Sequence, residues 1–342
     1  MKRSTFFAFV APSVFMMLLF IAAPLISVFL QSFQNTQNVY RETMVEKCTP
    51  GFPSPICTRE VALQQVLDAR GAPVTRTEWI GFSNYRQLLR LDEVARLWEQ
   101  GKLTLTSLQS INFFHALRFT LTFTFITLPF VLGLGLAIAL ALNATTQRLK
   151  GVIIFASLLP FIITPVIGAL SIRWLFAGDG VLAIMIRWAL DQPFSMFAQG
   201  WTVELVMIIY KVWHVAPFAF LVFYAGLQTL NQDTLESAIV DGASRWERLR
   251  YVVLPHLMPL IVFVTLIHLM DSYRVFDEVV GFSSQAYVIS LQWLTFDLLT
   301  PDNTGNRAIG RASASSMLTM TGIVVLLIPL LRRTWRDHRT TR

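Results

Sequence analysis

The chain has 342 residues, 54% of them hydrophobic and 14% charged, with a formal net charge of +7 and a mean hydropathy of +0.55. Soluble domains carry about 25% charge, so the composition excludes an ordinary soluble domain and points to a bilayer. The basic excess is not a nucleic-acid signature, because membrane chains gather Lys and Arg in cytoplasmic loops.

A crossing helix needs about 20 apolar residues. The first uncharged window runs from Ser4 to Tyr40. Its start, "MKRSTFFAFVAPSVFMMLLF", imitates a signal peptide, but the apolar run exceeds the roughly 7–15 residues of an h-region. It therefore reads as an uncleaved first span within residues 1–34, with Pro12 and Pro24 tolerated as they are in membrane helices.

Residues 35–109 follow as a segment that mixes both signs of charge and carries the only two cysteines, in "CTPGFPSPIC". Three prolines and a glycine allow this stretch to bend back, and an oxidising compartment then favours a Cys48–Cys57 disulfide. Two unrelated thiols or a metal pair are the alternatives. Metal sites usually need four ligands, and no histidine is near.

The other uncharged windows are Phe119 to Gln147, Gly151 to Ile172, Val212 to Gln232, Tyr251 to Met270 and Ala312 to Leu331. They place five more spans at about 112–143, 152–177, 203–228, 259–280 and 312–332. These spans make a core region over 110–335, with a connecting loop at 229–258. The fold class is all-α and polytopic. Lys2 and Arg3, Arg148 and Lys150, Arg245, Arg248 and Arg250, and Arg332 to Arg342 fall on alternate connections. The positive-inside rule makes that side cytoplasmic, with both termini inside.

Catalytic signatures are missing. There is no G-x-x-x-x-G-K-[ST], no H-E-x-x-H and no G-x-S-x-G, and the five histidines lack ligand spacing. The chain reads as neither an enzyme nor a metal protein.

Polar residues inside the spans carry more information. In "IIYKVWHVAPFAFLVFYAGLQ" the fourth span combines Lys211 and His214 with the aromatic planes of Tyr210, Trp213 and Phe218. That combination suits a polyhydroxylated solute; core packing or lipid contact is the alternative. The fifth span continues as "VTLIHLMDSYRVFDEVV", which on one helix puts His268, Asp271, Arg274 and Glu278 within an arc of about 120°. Each such charge in a lipid-facing helix costs about 2.5–3.5 kcal/mol, so this face is expected to line a wet path or to form interhelical ion pairs. Asp271 with Arg274 is expected to be such a pair.

Between these spans lies "ESAIVDGASRWERLRYVVLP", where Ile239, Ala243, Trp246, Leu249 and Val253, with Leu235 just before it, recur at helical steps. Gly242 interrupts them and permits a sharp change of direction. The stretch resembles the cytoplasmic loop of inner-membrane permeases of binding-protein-dependent ATP-driven importers. That loop reads E-A-A, three residues, G, nine residues, I, one residue, L-P. Here Glu236, Ser237, Ala238, Gly242, Val252, Leu254 and Pro255 keep every interval, with Ser237 and Val252 as mild departures. "GFSNYRQLL", "LGLGLAIALALN", "FYAGLQTL" and "IGRASASS" resemble the carbohydrate-uptake branch, and the first-span pattern resembles the maltose-type first permease.

The resemblance implies a subunit of the bacterial inner membrane without a cofactor of its own. A second, different permease, two ATP-binding subunits that hold ATP and Mg, and a periplasmic solute-binding protein would complete the assembly. Glu236, Ser237, Ala238, Asp241, Gly242, Ala243, Trp246, Leu254 and Pro255 would then form the joint with the ATPase. Tyr210, Trp213, His214, Phe218, His268, Asp271 and Arg274 are the candidate pathway for a sugar or polyol, moved by alternating access. Arg173, Lys211 and Arg274 leave an anionic sugar derivative (phosphate or sulfonate) as an alternative. A proton-coupled secondary transporter using Asp271 and His268, or a membrane scaffold, are the alternatives of other classes.

Overall fold

The computed structural model describes residues 3–49, 56–71, 73–191, 195–302 and 305–340. It is mostly helical: five helices are long and apolar enough to cross a membrane among the described residues, and a bent pair makes a sixth if counted as one span. The chain divides into two units, residues 1–104 with 294–318 and residues 105–293 with 319–342.

In the first unit, α1 (Arg3–Met17) passes through a π-helical turn at Leu18–Ala22 into α2 (Ala23–Gln31). The turn's closing bond, from the Ala23 N–H to the Leu18 carbonyl, spans five residues and stands immediately before Pro24. Proline has no N–H to continue an α-helical ladder, and the wider register shifts the bonding pattern where that donor is missing.

The segment after this span, expected as a loop, contains two antiparallel strand pairs. β1 (Gln34–Asn38) pairs antiparallel with β4 (Thr75–Trp79), and β2 (Tyr40–Thr49) with β3 (Ile56–Gln65). "YRETMVEKCT" shows no strand period of two, but it holds β-favouring Tyr, Thr and Val and neither Gly nor Pro. α3 (Ser83–Leu89) and α4 (Leu91–Glu99) follow. Buried Asn84 fastens α3, its Nδ2 donating to the carbonyls of Ser32 and Gln34 at 2.9 Å each.

The second unit opens with α5 (Leu105–Leu108), α6 (Asn112–Asn143) and α7 (Gln147–Ile162). α8 (Pro165–Phe176) leaves α7 at an angle of 93°. The continuous span expected at 152–177 is thus broken at Ile163 and Thr164, both extended. The cause is Pro165, whose ring disfavours the helical conformation at the residue before it. α9 (Val181–Leu190) and α10 (Gly200–Gln228) come next. α11 (Gln232–Val240) and α12 (Arg245–Arg248) lead through a second π-helical turn, Leu249–Val253, into α13 (Leu254–Tyr273). This turn repeats the device of the first, with a bond from the Leu254 N–H to the Leu249 carbonyl directly before Pro255. The helix of the fifth span is thus continuous with the end of the loop from Arg245, and it stops at Tyr273, so it does not run on to 280.

α14 (Asp277–Gly281) is a separate short helix. α15 (Leu291–Asp297) and α16 (Ile309–Thr340) complete the chain.

Two apolar clusters occupy the second unit. One gathers Phe119, Phe123, Met207, Tyr210, Val275 and Val279; the other gathers Val131, Val215, Phe220, Phe223, Leu257 and Val264. Along α6, α10 and α13 the buried polar residues Thr124, Thr127, Lys211, His214, His268 and Ser272 fall between the two. A polar layer therefore separates two greasy halves.

The side chains of Cys48 and Cys57 lie outside the described residues, but the β2–β3 register sets their backbones directly opposite each other. Opposed antiparallel residues have Cα atoms about 4.5 or 5.5 Å apart, and a disulfide spans about 4.4–6.8 Å. Alkylation without reductant, followed by mass spectrometry of protein from native membranes, is expected to find the two peptides joined. Two alkylated thiols would refute the pairing.

Candidate functional site

The break between α7 and α8 exposes backbone carbonyls in the middle of the second unit, and α10 satisfies them. His214 Nε2 lies 2.9 Å from the Ile163 carbonyl, and the Tyr210 hydroxyl donates to the Pro165 carbonyl at 2.8 Å. A carbonyl only accepts, so His214 carries its proton on Nε2 and its Nδ1 is a buried atom without a partner. Gly168 makes the approach of Tyr210 feasible, since a Cβ there would fall 3.2 Å from the tyrosine Cζ.

Beside the break lies a cavity of about 680 Å³. Its apolar wall is Phe161 and Phe218, with ring centroids 6.0 Å apart and planes within 23°. Its polar wall is ionic. Lys211 Nζ donates to Asp271 at 2.8 Å and to Glu278 at 2.9 Å, joining α10, α13 and α14. The Lys211 and Glu278 side chains are 6% and 2% exposed, against 57% for Asp271. The ion triad is thus anchored in the core and open to the cavity at one carboxylate.

His268 also lines the cavity, and its Nε2 sits 2.9 Å from Thr127 Oγ1. That hydroxyl already donates to the Phe123 carbonyl, so it accepts from the histidine.

The loop between α10 and α13 is built from two opposed helix ends. α11 stops in a Schellman motif: the Ala243 N–H bonds the Ala238 carbonyl and the Gly242 N–H bonds the Ile239 carbonyl, with Gly242 at φ +79°. Two residues later Ser244 starts α12 with a capping box, its hydroxyl accepting from the Glu247 N–H while Glu247 accepts from the Ser244 N–H. The Ser244 side chain and then its backbone hold the Glu247 carboxyl below the usual carboxylate range. Leu235, Leu249 and Val253 pack inward, whereas Ile239, Val240, Trp246 and Tyr251 remain exposed. Ser237 donates to the Asp233 carbonyl within α11.

The family described as "Binding-protein-dependent transport system inner membrane component" matches residues 119–335, which include the cavity and the loop. The chain belongs to that family. The trehalose transport system permease protein SugA of Mycobacterium tuberculosis is 35% identical over 136 residues, 38% of this chain and 41% of its own length. The trehalose/maltose transport system permease protein MalF of Thermococcus litoralis is 30% identical over 202 residues, 54% of this chain and 63% of its own length. The match thus spans less than two thirds of either relative. A crystal structure of a bacterial ABC transporter involved in the import of the acidic polysaccharide alginate has a TM-score of 0.65 at 21% identity. It covers 100% of this chain and 97% of that one. The likeness is one of fold.

The permease brings together five of the seven pathway residues expected from sequence: His214, Phe218, His268, Asp271 and Arg274 line the cavity. Tyr210 and Trp213 do not. Tyr210 is buried behind the cavity on the Pro165 carbonyl, and Trp213 is exposed elsewhere on α10. The Asp271–Arg274 pair does not form either. The helix unwinds at Arg274, whose Nε turns back to the Met270 carbonyl, and Asp271 is held by Lys211 instead. Glu278 reaches the cavity from α14 and not along a continued fifth span. Among the described residues no direct hydrogen bond joins His268 to Asp271; His268 is bonded to Thr127 and Asp271 to Lys211. Arg173 donates to Ser283 outside the cavity.

Removing one partner of a buried ion pair costs about 3–5 kcal/mol, because the other charge is stranded. Lys211→Met is therefore expected to lower the thermal midpoint of the purified permease clearly, and Lys211→Met with Glu278→Gln to recover most of the loss. Asp271→Asn, at the open end, is expected to change it little. Equal midpoints for Lys211→Met and the native chain would show that the triad does not hold the bundle.

Proposed function

We propose that this chain is the membrane-crossing subunit of an ATP-driven importer, working with a second permease, two ATP-hydrolysing subunits and an external solute-binding protein. The observation that carries the reading is the loop. Two short helices meet at a fixed glycine turn and hold Ile239, Val240, Trp246 and Tyr251 in water. Exposed apolar groups gathered this way mark a docking surface. Glu236 and Asp241 flank it with negative charge for a basic partner. The basic groups on alternate connections set this loop and both termini on the cytoplasmic side.

The cavity is proposed as the solute path, with a neutral sugar or polyol as cargo. The stacked Phe161 and Phe218 offer planes to the apolar face of a sugar ring, and Asp271, the exposed end of the triad, offers a hydroxyl partner. The relatives named for trehalose and maltose support that class. Charge disfavours the anionic alternative: three carboxylates (Asp271, Asp277 and Glu278) face the cavity against two cations (Lys211 and Arg274).

Gly242 has open space around its Cβ position, so its requirement is conformational and not steric within this chain. A side chain at positive φ costs about 1–2 kcal/mol. Gly242→Ala is expected to weaken co-purification of the ATPase subunit modestly, and Gly242→Trp and Trp246→Glu to abolish it while the spans stay folded. Vesicle uptake is expected to require internal ATP and to ignore an uncoupler. Full assembly and uptake in all three variants would refute the coupling role.

Solute class is tested on the partner that delivers it. Thermal-shift screening of the binding protein is expected to show stabilisation by neutral disaccharides or polyols and none by sugar phosphates. The opposite ranking would overturn the cargo assignment.

A further inference from the structure

The first unit carries two adjoining clefts that neither the solute path nor the coupling loop explains. One, of about 720 Å³, is walled by Ile80, Phe82, Tyr85, Leu91 and Ala95. The other, of about 750 Å³, is walled by four arginines, Arg86, Arg90, Arg96 and Arg311, against Asp92 and Glu93. The two share Ser83, Arg86 and Asp92. An apolar compartment therefore opens directly into a cationic one.

The surrounding surface has the same division. On α4 the stripe Leu91, Ala95 and Trp98, at steps of four and three, faces outward, with Leu91 44% and Trp98 72% exposed. Asp92, Arg96 and Glu99 hold the other faces. Phe82 is 74% exposed and packs edge-on against Phe33, which stacks on Trp79 at 5.6 Å. Phe33 follows directly on α2, so this aromatic cluster continues the lipid-facing surface of the first span. Aromatic rings gather where a span meets the headgroup layer, and a short helix with one greasy and one charged side lies in that layer.

The cations are arranged for a phosphate. Arg86 pairs with Asp92 at 2.6 Å and Arg90 with Glu93 at 3.1 Å. Among the described residues, Arg96 spends only Nε, on the Asp92 carbonyl at 3.3 Å. Its terminal nitrogens remain for an incoming anion, and a guanidinium fork matches phosphate oxygens.

We propose that α3 and α4 form a phospholipid site: an acyl chain lies in the cleft between Phe82 and Leu91, and an anionic headgroup lies among Arg86, Arg96 and Arg311. Charge separation and continuity with the first span favour lipid over a protein partner. A protein partner would also leave the arginine cleft needing its own acids.

The test uses the assembled transporter in vesicles of phosphatidylethanolamine and phosphatidylglycerol, with the photo-reactive residue benzoylphenylalanine replacing Leu91, Trp98, Glu99 or, as a positive control in the first span, Phe20. Irradiation is expected to give phospholipid adducts at Leu91, Trp98 and Phe20 and none at Glu99, with phosphatidylglycerol enriched at Leu91. Arg96→Glu, a change at an exposed side chain, is expected to lower that enrichment about fivefold. Adducts to another subunit or to the binding protein, or no lipid adduct at Leu91 and Trp98 while Phe20 reacts, would overturn the site. Equal labelling by the two lipids, unmoved by Arg96→Glu, would overturn the headgroup assignment.

Discussion

Hydrocarbon offers no hydrogen bonds, so any backbone that leaves the helical ladder inside a membrane must find partners within the protein. The break at Ile163 and Thr164 violates the ladder, and much of the second unit follows from how that violation is met. Tyr210 and His214 are committed to the carbonyls of Pro165 and Ile163. Gly168 is committed to admitting the tyrosine. Because α10 must present polar groups there, Lys211 is carried into the core on the same turn, and Asp271 and Glu278 are required to neutralise it. The pair of carbonyls freed by the break thus draws the polar groups of α10 into the layer between the two apolar clusters.

The loop is stiff for a related reason. Its turn is not a flexible linker but a helix stop followed at once by a helix start, each end saturated by its own bonds. The change of direction is made at Gly242, where the backbone adopts a conformation unfavourable to side chains. A segment built this way keeps Trp246 and Val240 at a set separation and angle, which is what a surface needs if it is to be recognised and pushed.

How much of this is legible from residues depends on the range of the interaction. Uncharged windows are local, and they locate the spans. The spacing from Glu236 to Pro255 is local too, and it marks the loop. The break is poorly legible because Pro165 sits in an uncharged run, where proline is common and usually only kinks a helix. Lys211 could be noticed beside His214, but its partners lie 60 and 67 residues away and no periodicity links them. The periodic charges at His268, Asp271, Arg274 and Glu278 mimic a continuing helix, so its end at Tyr273 is concealed. Tyr210 and Trp213 share an aromatic pattern with Phe218, yet only packing decides which of the three reaches the cavity. The strands of "YRETMVEKCT" and its partner carry no alternation, so no periodic signal marks the hairpin in a segment of mixed charge.

The second π-helical turn has a mechanical consequence. Because it carries the hydrogen-bond ladder past Pro255, residues Arg245–Tyr273 form one continuous helix of 29 residues, about 43 Å long at a rise of about 1.5 Å per residue. Trp246 stands near one end and Asp271 near the other. Under the proposed coupling role, a push at Trp246 would reach the carboxylate that grips Lys211 along a single helix.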